Sequence, residues 1–150
     1  MPNVLKHHHS SAGRGHSLSR SLGEKLVAHA AGSGGSLNTS ALSRLLGVLR
    51  TLRDATGNPE LQMQTMNTFL YIASRHPNEI AQGEIERILG LQQTTVSRNC
   101  AYLAKGNAAG HGGYKLVDVF EDVDYRKRKL AKLTPKGLEV AKAIADQMGY

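Results

Sequence analysis

Seven polar side chains crowd one short stretch of the chain: Gln92, Gln93, Thr94, Thr95, Ser97, Arg98 and Asn99, with no acid between Gln92 and Ala104. Side chains of these types can read the edges of base pairs. An Arg forks onto guanine, a Gln or Asn amide onto adenine, and the Thr methyl meets the thymine methyl, each good bidentate pair contributing about 1–3 kcal/mol of discrimination. Val96, Cys100 and Leu103 stand at i, i+4 and i+7. A helix that turns those three inward presents Gln93, Thr94, Ser97, Arg98 and Asn99 outward, with Gln92 and Thr95 nearer the edges.

A second cluster lies about 25 residues downstream: Tyr125, Arg126, Lys127 and Arg128, followed by Lys129. Asp122 and Asp124 offset only part of that positive field, so some of the cations face outward, where they suit phosphates or the narrow minor groove. Asp124 is read as structural, a turn former that orients a neighbouring Arg.

The elements that must position these clusters follow from periodicity and punctuation. Gly83 to Leu89, with Ile85, Ile88 and Leu89 apolar, and Gln92 to Ala104 are two short helices separated only by Gly90-Leu91. Helices so short and so closely joined cross steeply, which defines a helix-turn-helix. After a glycine-rich stretch, Lys105 to Gly113, the period changes toward two. Leu116, Val117, Val119 and Phe120 form one strand, Leu130 and Leu133 lie in another, and Glu121 to Arg128 make the polar tip of a two-stranded wing. Thr134 caps a last helix with Pro135 at its first position and Leu138, Ala141, Ala145 and Met148 along one side.

Upstream, Ser40 caps a helix with Leu42, Leu45, Leu46, Leu49 and Leu52 on one stripe. Asn58 caps the next, with Pro59 in its first turn and Met66, Phe69, Leu70 and Ala73 buried, before Pro77 stops it. A shorter helix runs from Ser21 to Ala31, where Ser21 and Glu24 have capping-box spacing. Residues 1–20, with His7, His8, His9, Lys6, Arg14 and Arg20 among Ser and Gly, cannot offset the entropy cost of folding and are expected to form a mobile basic arm.

Composition narrows the function classes. The chain has 150 residues, 19 basic and 12 acidic, for a formal charge of +7 and a pI near 9.8, a balance that favours a polyanionic partner. Residues 1–58 hold seven basic and two acidic side chains, whereas residues 59–150 hold twelve and ten. No apolar run approaches the roughly 18 residues of a membrane span, so no membrane partner is expected. A lone Cys100 and the absence of a signal-like apolar stretch point to a reducing, cytoplasmic location, with the nucleoid. Cys100 is expected to be a buried, inert thiol. The three adjacent histidines have no neighbouring carboxylate to orient them around a metal, and Gly106, Gly110, Gly112 and Gly113 are not followed by the Lys-Ser/Thr of a phosphate loop. No catalytic constellation stands out, so neither an enzyme nor a cofactor is expected.

Ile85 to Leu103, Leu116-Val117, Asp124-Tyr125-Arg126 and Leu133-Thr134-Pro135-Lys136-Gly137 together resemble the MarR-type winged-helix regulators, in the same order, across about 80 residues from Leu61 to Ile144. The resemblance implies a homodimer on a pseudo-palindromic operator, one recognition helix per half-site in the major groove and each wing in the adjacent minor groove. Three departures are visible. Gly106 to Gly113 reads as an insertion before the wing. The family's further long helix, which helps to build the dimer and the pocket between its dimerisation and DNA-binding parts, would lie beyond Tyr150, so the helices at Ser21 to Ala31 and Ser40 to Ala55 would have to compensate. Gln92 stands where a Ser, Thr or Asp cap is usual.

The expected fold class is mainly α with a small β-hairpin wing, a winged helix-turn-helix with N- and C-terminal dimerisation helices. Its expected parts are a basic arm (1–20), dimerising helices (21–57), the DNA-binding domain (58–134) and a C-terminal helix (135–150). The expected function is that of a sequence-selective regulator of transcription, a repressor that binds double-stranded DNA as a homodimer. Two other readings stay open: a replication, partition or packaging factor of a mobile element, and an adapter whose wing contacts another polypeptide. A small-molecule effector has no residue pattern to support it.

Overall fold

The computed structural model describes residues 37–149; the expected basic arm with its histidines and the expected helix from Ser21 to Ala31 lie outside the described residues. Five helices and three short strands follow in the order α1 (Thr39–Thr56), α2 (Met63–Ser74), β1 (Ile80–Ala81), α3 (Gln82–Leu89), α4 (Gln93–Leu103), β2 (Val117–Glu121), β3 (Lys129–Leu133) and α5 (Pro135–Met148). The expected class, a mainly helical winged helix-turn-helix, is what these elements form.

Phe69, Ile72, Ile85, Val96, Cys100, Leu103, Leu116 and Val117 are at most 1% exposed and make one continuous core beneath the helix-turn-helix and the sheet. α1 and α5 lie antiparallel along its side. Lys136, at the start of α5, donates to the carbonyls of Ala55 (3.2 Å) and Tyr114 (2.9 Å), while Gln147, near the end of α5, donates to Thr51 Oγ1 (2.6 Å). On α1 only Val48 and Leu52 of the apolar stripe are buried, with Leu49 packed partly against the core; Leu42, Leu45 and Leu46 are each about half exposed.

Four local expectations are corrected. The first helix starts at Thr39, so Ser40 lies inside it and does not cap it. Asn58 does not cap α2, which begins at Met63 after Gln62. Its Oδ1 instead accepts from the Glu60 N–H (2.9 Å) in a turn, and its Nδ2 donates to the Tyr114 hydroxyl (2.9 Å). The β2–β3 hairpin forms the expected wing, Val119 opposite Ala131, but its sheet has one strand more than expected, β1 pairing on the other edge of β3 with Ile80 opposite Ala131. Finally, the inward face of α5 is Gly137 and Ile144, with Leu138, Val140 and Ala141 partly covered, whereas Ala145 and Met148 are exposed.

The start of α5 shows why its residue types are needed. Thr134 Oγ1 accepts from the Gly137 N–H (3.0 Å) and donates to the Lys115 carbonyl (2.7 Å), so one hydroxyl caps the helix and ties it to the chain entering β2. Pro135 occupies the first turn, where no N–H is required. Gly137 packs directly on the Leu116 backbone: a Cβ there would overlap the Leu116 carbonyl.

Candidate nucleic-acid interface

The turn between α3 and α4 is made by Gly90, whose left-handed φ of 63° ends α3 as the Gly90 and Leu91 N–H groups return to the Glu86 carbonyl. α3 is held to α2 by the Tyr71 hydroxyl, which donates to Glu84 Oε1 (2.6 Å), with Arg75 beside the same carboxylate (3.5 Å). The Glu84 carboxylate, as acceptor and as neighbouring negative charge, raises the Tyr71 phenol above its ordinary value. α4 then runs for eleven residues, about 16 Å at 1.5 Å per residue. Gln92 is its N-terminal boundary residue and makes no side-chain capping bond, as its residue type implied.

Val96, Cys100 and Leu103 face inward, each at most 1% exposed. Burial pushes the Cys100 thiol up to about 12, so it stays protonated and unreactive. On the opposite side, Gln93, Thr94, Ser97 and Arg98 line one wall of an open cleft of about 800 Å³; Tyr125, Lys127, Arg128 and Lys129 from the wing line the other. Gln92 and Arg126 are exposed but do not line this cleft, and Thr95 is half-buried outside it.

Asn99 is the one candidate that the fold removes from the surface. It is 1% exposed, its Nδ2 donates to Thr68 Oγ1 (3.2 Å) and its Oδ1 accepts from Thr65 Oγ1 (3.1 Å), both on α2. An amide so enclosed cannot reach a base. Its position was visible in the spacing, since Val96, Asn99, Cys100 and Leu103 follow i, i+3, i+4 and i+7.

The wing tip is organised by Asp122, not by Asp124 as expected. Asp122 is 6% exposed; its Oδ1 accepts from the Asp124 N–H (2.8 Å) and its Oδ2 from Arg128 Nε (2.6 Å), with Arg128 Nη2 closing an ion pair. The Asp124 N–H and the Arg128 guanidinium hold the Asp122 carboxyl below the usual carboxylate range. The Asp122 N–H also donates to the Arg128 carbonyl (2.9 Å), closing the tip at its base. Asp124 joins this network through its backbone N–H and not through its carboxylate.

Sequence reasoning did not place Asn107 or Glu86 at the cleft, although both line it. The glycine-rich loop folds back on α4: the Gly113 N–H donates to the Tyr102 carbonyl (2.9 Å) and the Leu116 N–H to the Leu103 carbonyl (2.8 Å). That return brings Asn107 beside the cleft, a long-range consequence with no local signal.

No known family's sequence profile matches the chain, and no curated protein does. Solved structures do. A mutant of MepR from a multidrug-resistant S. aureus clinical isolate superposes with a TM-score of 0.53 at 19% identity, covering 75% of this chain and 76% of that one. The S. aureus MepR–DNA complex gives 0.51 at 16% identity over 85% and 82%. The MarR family transcription regulator SP03579 gives 0.50 at 18% identity over 86% and 74%. The chain has the fold of the MarR-type winged-helix regulators.

Proposed function

We propose that this protein is a sequence-selective double-stranded-DNA-binding regulator of transcription, acting as a homodimeric repressor on a pseudo-palindromic operator in the nucleoid. The observation that carries the reading is the cleft in which Gln93, Thr94, Ser97 and Arg98 of α4 face Tyr125, Lys127 and Arg128 of the wing. The major groove, about 12 Å wide, admits a helix such as α4, and the cations opposite it suit the phosphates and minor groove alongside. Gln92 and Thr95 flank the reading face, and Arg126 extends the wing's reach. One of the proteins that this fold resembles, MepR, was crystallised with DNA.

The homodimer is supported by Leu42, Leu45 and Leu46 of α1 and Met148 of α5, large apolar side chains left 42–53% exposed on the antiparallel pair. Contiguous apolar exposure of this kind suits a second copy. Residues 21–57 and 135–150 then serve dimerisation, and residues 58–134 serve DNA. Repression is steric, through occupation of promoter DNA.

Selection from a random duplex pool by the full chain, followed by sequencing, tests this function. The expected product is an inverted repeat whose half-sites are centred about one helical turn, roughly 34 Å, apart. Failure to retain any duplex at low salt would overturn it and favour a protein-interaction role; enrichment restricted to replication origins or termini in genomic fragments would replace the repressor with a replication or packaging factor.

A further inference from the structure

We infer that Asn99 is a specificity-determining positioning residue: together with Thr65 and Thr68 it fixes the rotation of α4 about its own axis, and so fixes which side chains meet which bases. The inference rests on the proposed DNA-binding role of α4.

Of the remaining inward side chains of α4, Val96 and Leu103 pack without directional preference, and the Cys100 thiol adds only a weak hydrogen bond with Gln82. Ridges-into-grooves packing sets preferred arrangements and not quantised ones, the crossing angle itself scattering by about 15–20°, so apolar contacts alone do not impose one rotation. A roll of about 20° carries a side-chain tip about 6 Å from the axis through about 2 Å, enough to break a hydrogen bond to a base edge. Asn99 removes this slack. Thr68 Oγ1 gives its proton to the Gln64 carbonyl (2.8 Å), so toward Asn99 it can only accept, from Nδ2. Thr65 Oγ1 donates to Oδ1. The two hydroxyls therefore present one acceptor and one donor, one turn apart on α2, and only one orientation of the amide satisfies both. All three side chains are at most 1% exposed, so water cannot substitute for a lost partner. Buried polar groups that select a single register among similar apolar packings are an established use of such contacts. Arg98 and Ser97, one and two positions before Asn99, inherit the fixed rotation on the cleft side.

The test compares the wild-type chain, Asn99→Leu and the triple variant Asn99→Leu/Thr65→Val/Thr68→Val in duplex selection, in affinity for unrelated duplex, and in thermal melting. The triple variant guards against loss of folding in the single one, because replacing every partner by an apolar group of similar shape leaves nothing buried and unsatisfied. The expected result is a melting midpoint for the triple variant close to that of the wild type, affinity for unrelated duplex within twofold, and a preference for the selected site reduced at least tenfold. A triple variant that melts like the wild type and keeps the preference within twofold would overturn the inference while leaving the proposed function standing. A wild-type chain that selects no sequence would overturn both.

Discussion

α4 and the wing face each other across one cleft but are held in place very differently. Behind α4 stand three fully buried side chains that hold it to the core and a two-bonded amide that fixes its rotation, so its polar face is presented by a backbone set in place from behind. The wing tip, by contrast, projects Val123, Tyr125, Arg126 and Lys127 into solvent and is closed chiefly by Asp122, with its ion pair to Arg128 and its bond from the Asp124 amide. A rigid face suits base reading, where a hydrogen bond tolerates little displacement. A cationic tip held by few contacts suits phosphates, where charge matters more than exact placement.

The largest expected effect is on the rigid side. Leu103→Ala should cost about 2–5 kcal/mol of stability in chemical denaturation, because it opens a cavity under the end of α4 at a residue 1% exposed. A loss below about 1 kcal/mol would mean that α4 is not core-determined, and the contrast with the wing would fail. Next, Arg98→Ala should relax base preference at one position in each half-site, at a cost of about 1–3 kcal/mol in titrations against matched and mismatched sites. On the wing, Lys127→Ala should weaken all sequences alike and reduce the slope of log affinity against log salt by about 1. Equal effects of these two substitutions on sequence preference would erase the division of labour.

The smallest effect is confined to the tip. Asp122→Asn should speed amide exchange at Asp124, whose N–H it holds, with only a small drop in the melting midpoint. Because the Asp122 carboxyl is held below its ordinary value, its contribution is fully present above the unfolded carboxylate range, near 4, and is lost as pH falls through the lowered folded value. Exchange at the tip should therefore be insensitive to this group from pH 8 to 6, after correction for intrinsic rates, and accelerate only on stronger acidification.

The same contrast explains what the sequence disclosed. Elements with strong periodicity, α3 and α4 above all, were legible, because a core-facing stripe is a local pattern. β1 was not: two residues carry no period, and Ile80–Ala81 becomes a strand only because β3 offers an unpaired edge. The choice between Asp122 and Asp124 depended on which of two turn residues folds inward, a matter of the closed hairpin and not of spacing. Asn99 was misplaced because its residue type suggested the outer face, while its partners, Thr65 and Thr68, lie more than 30 positions away. The leucines of α1 are recognisable as apolar, but a stripe does not state what covers it, and Leu42, Leu45 and Leu46 stay about half exposed among the described residues.

Directed cleavage from two positions tests most directly the claim that α4 and the wing hold one duplex. Cys100, buried and protonated, does not compete for a thiol-reactive cleaving reagent, so a single cysteine can be introduced as Ser97→Cys or as Lys127→Cys. The expected pattern places cuts from position 97 in the major groove within each half-site and cuts from position 127 in the adjacent minor groove. Cuts from position 97 that are absent, or that fall outside the groove while those from position 127 persist, would contradict the account.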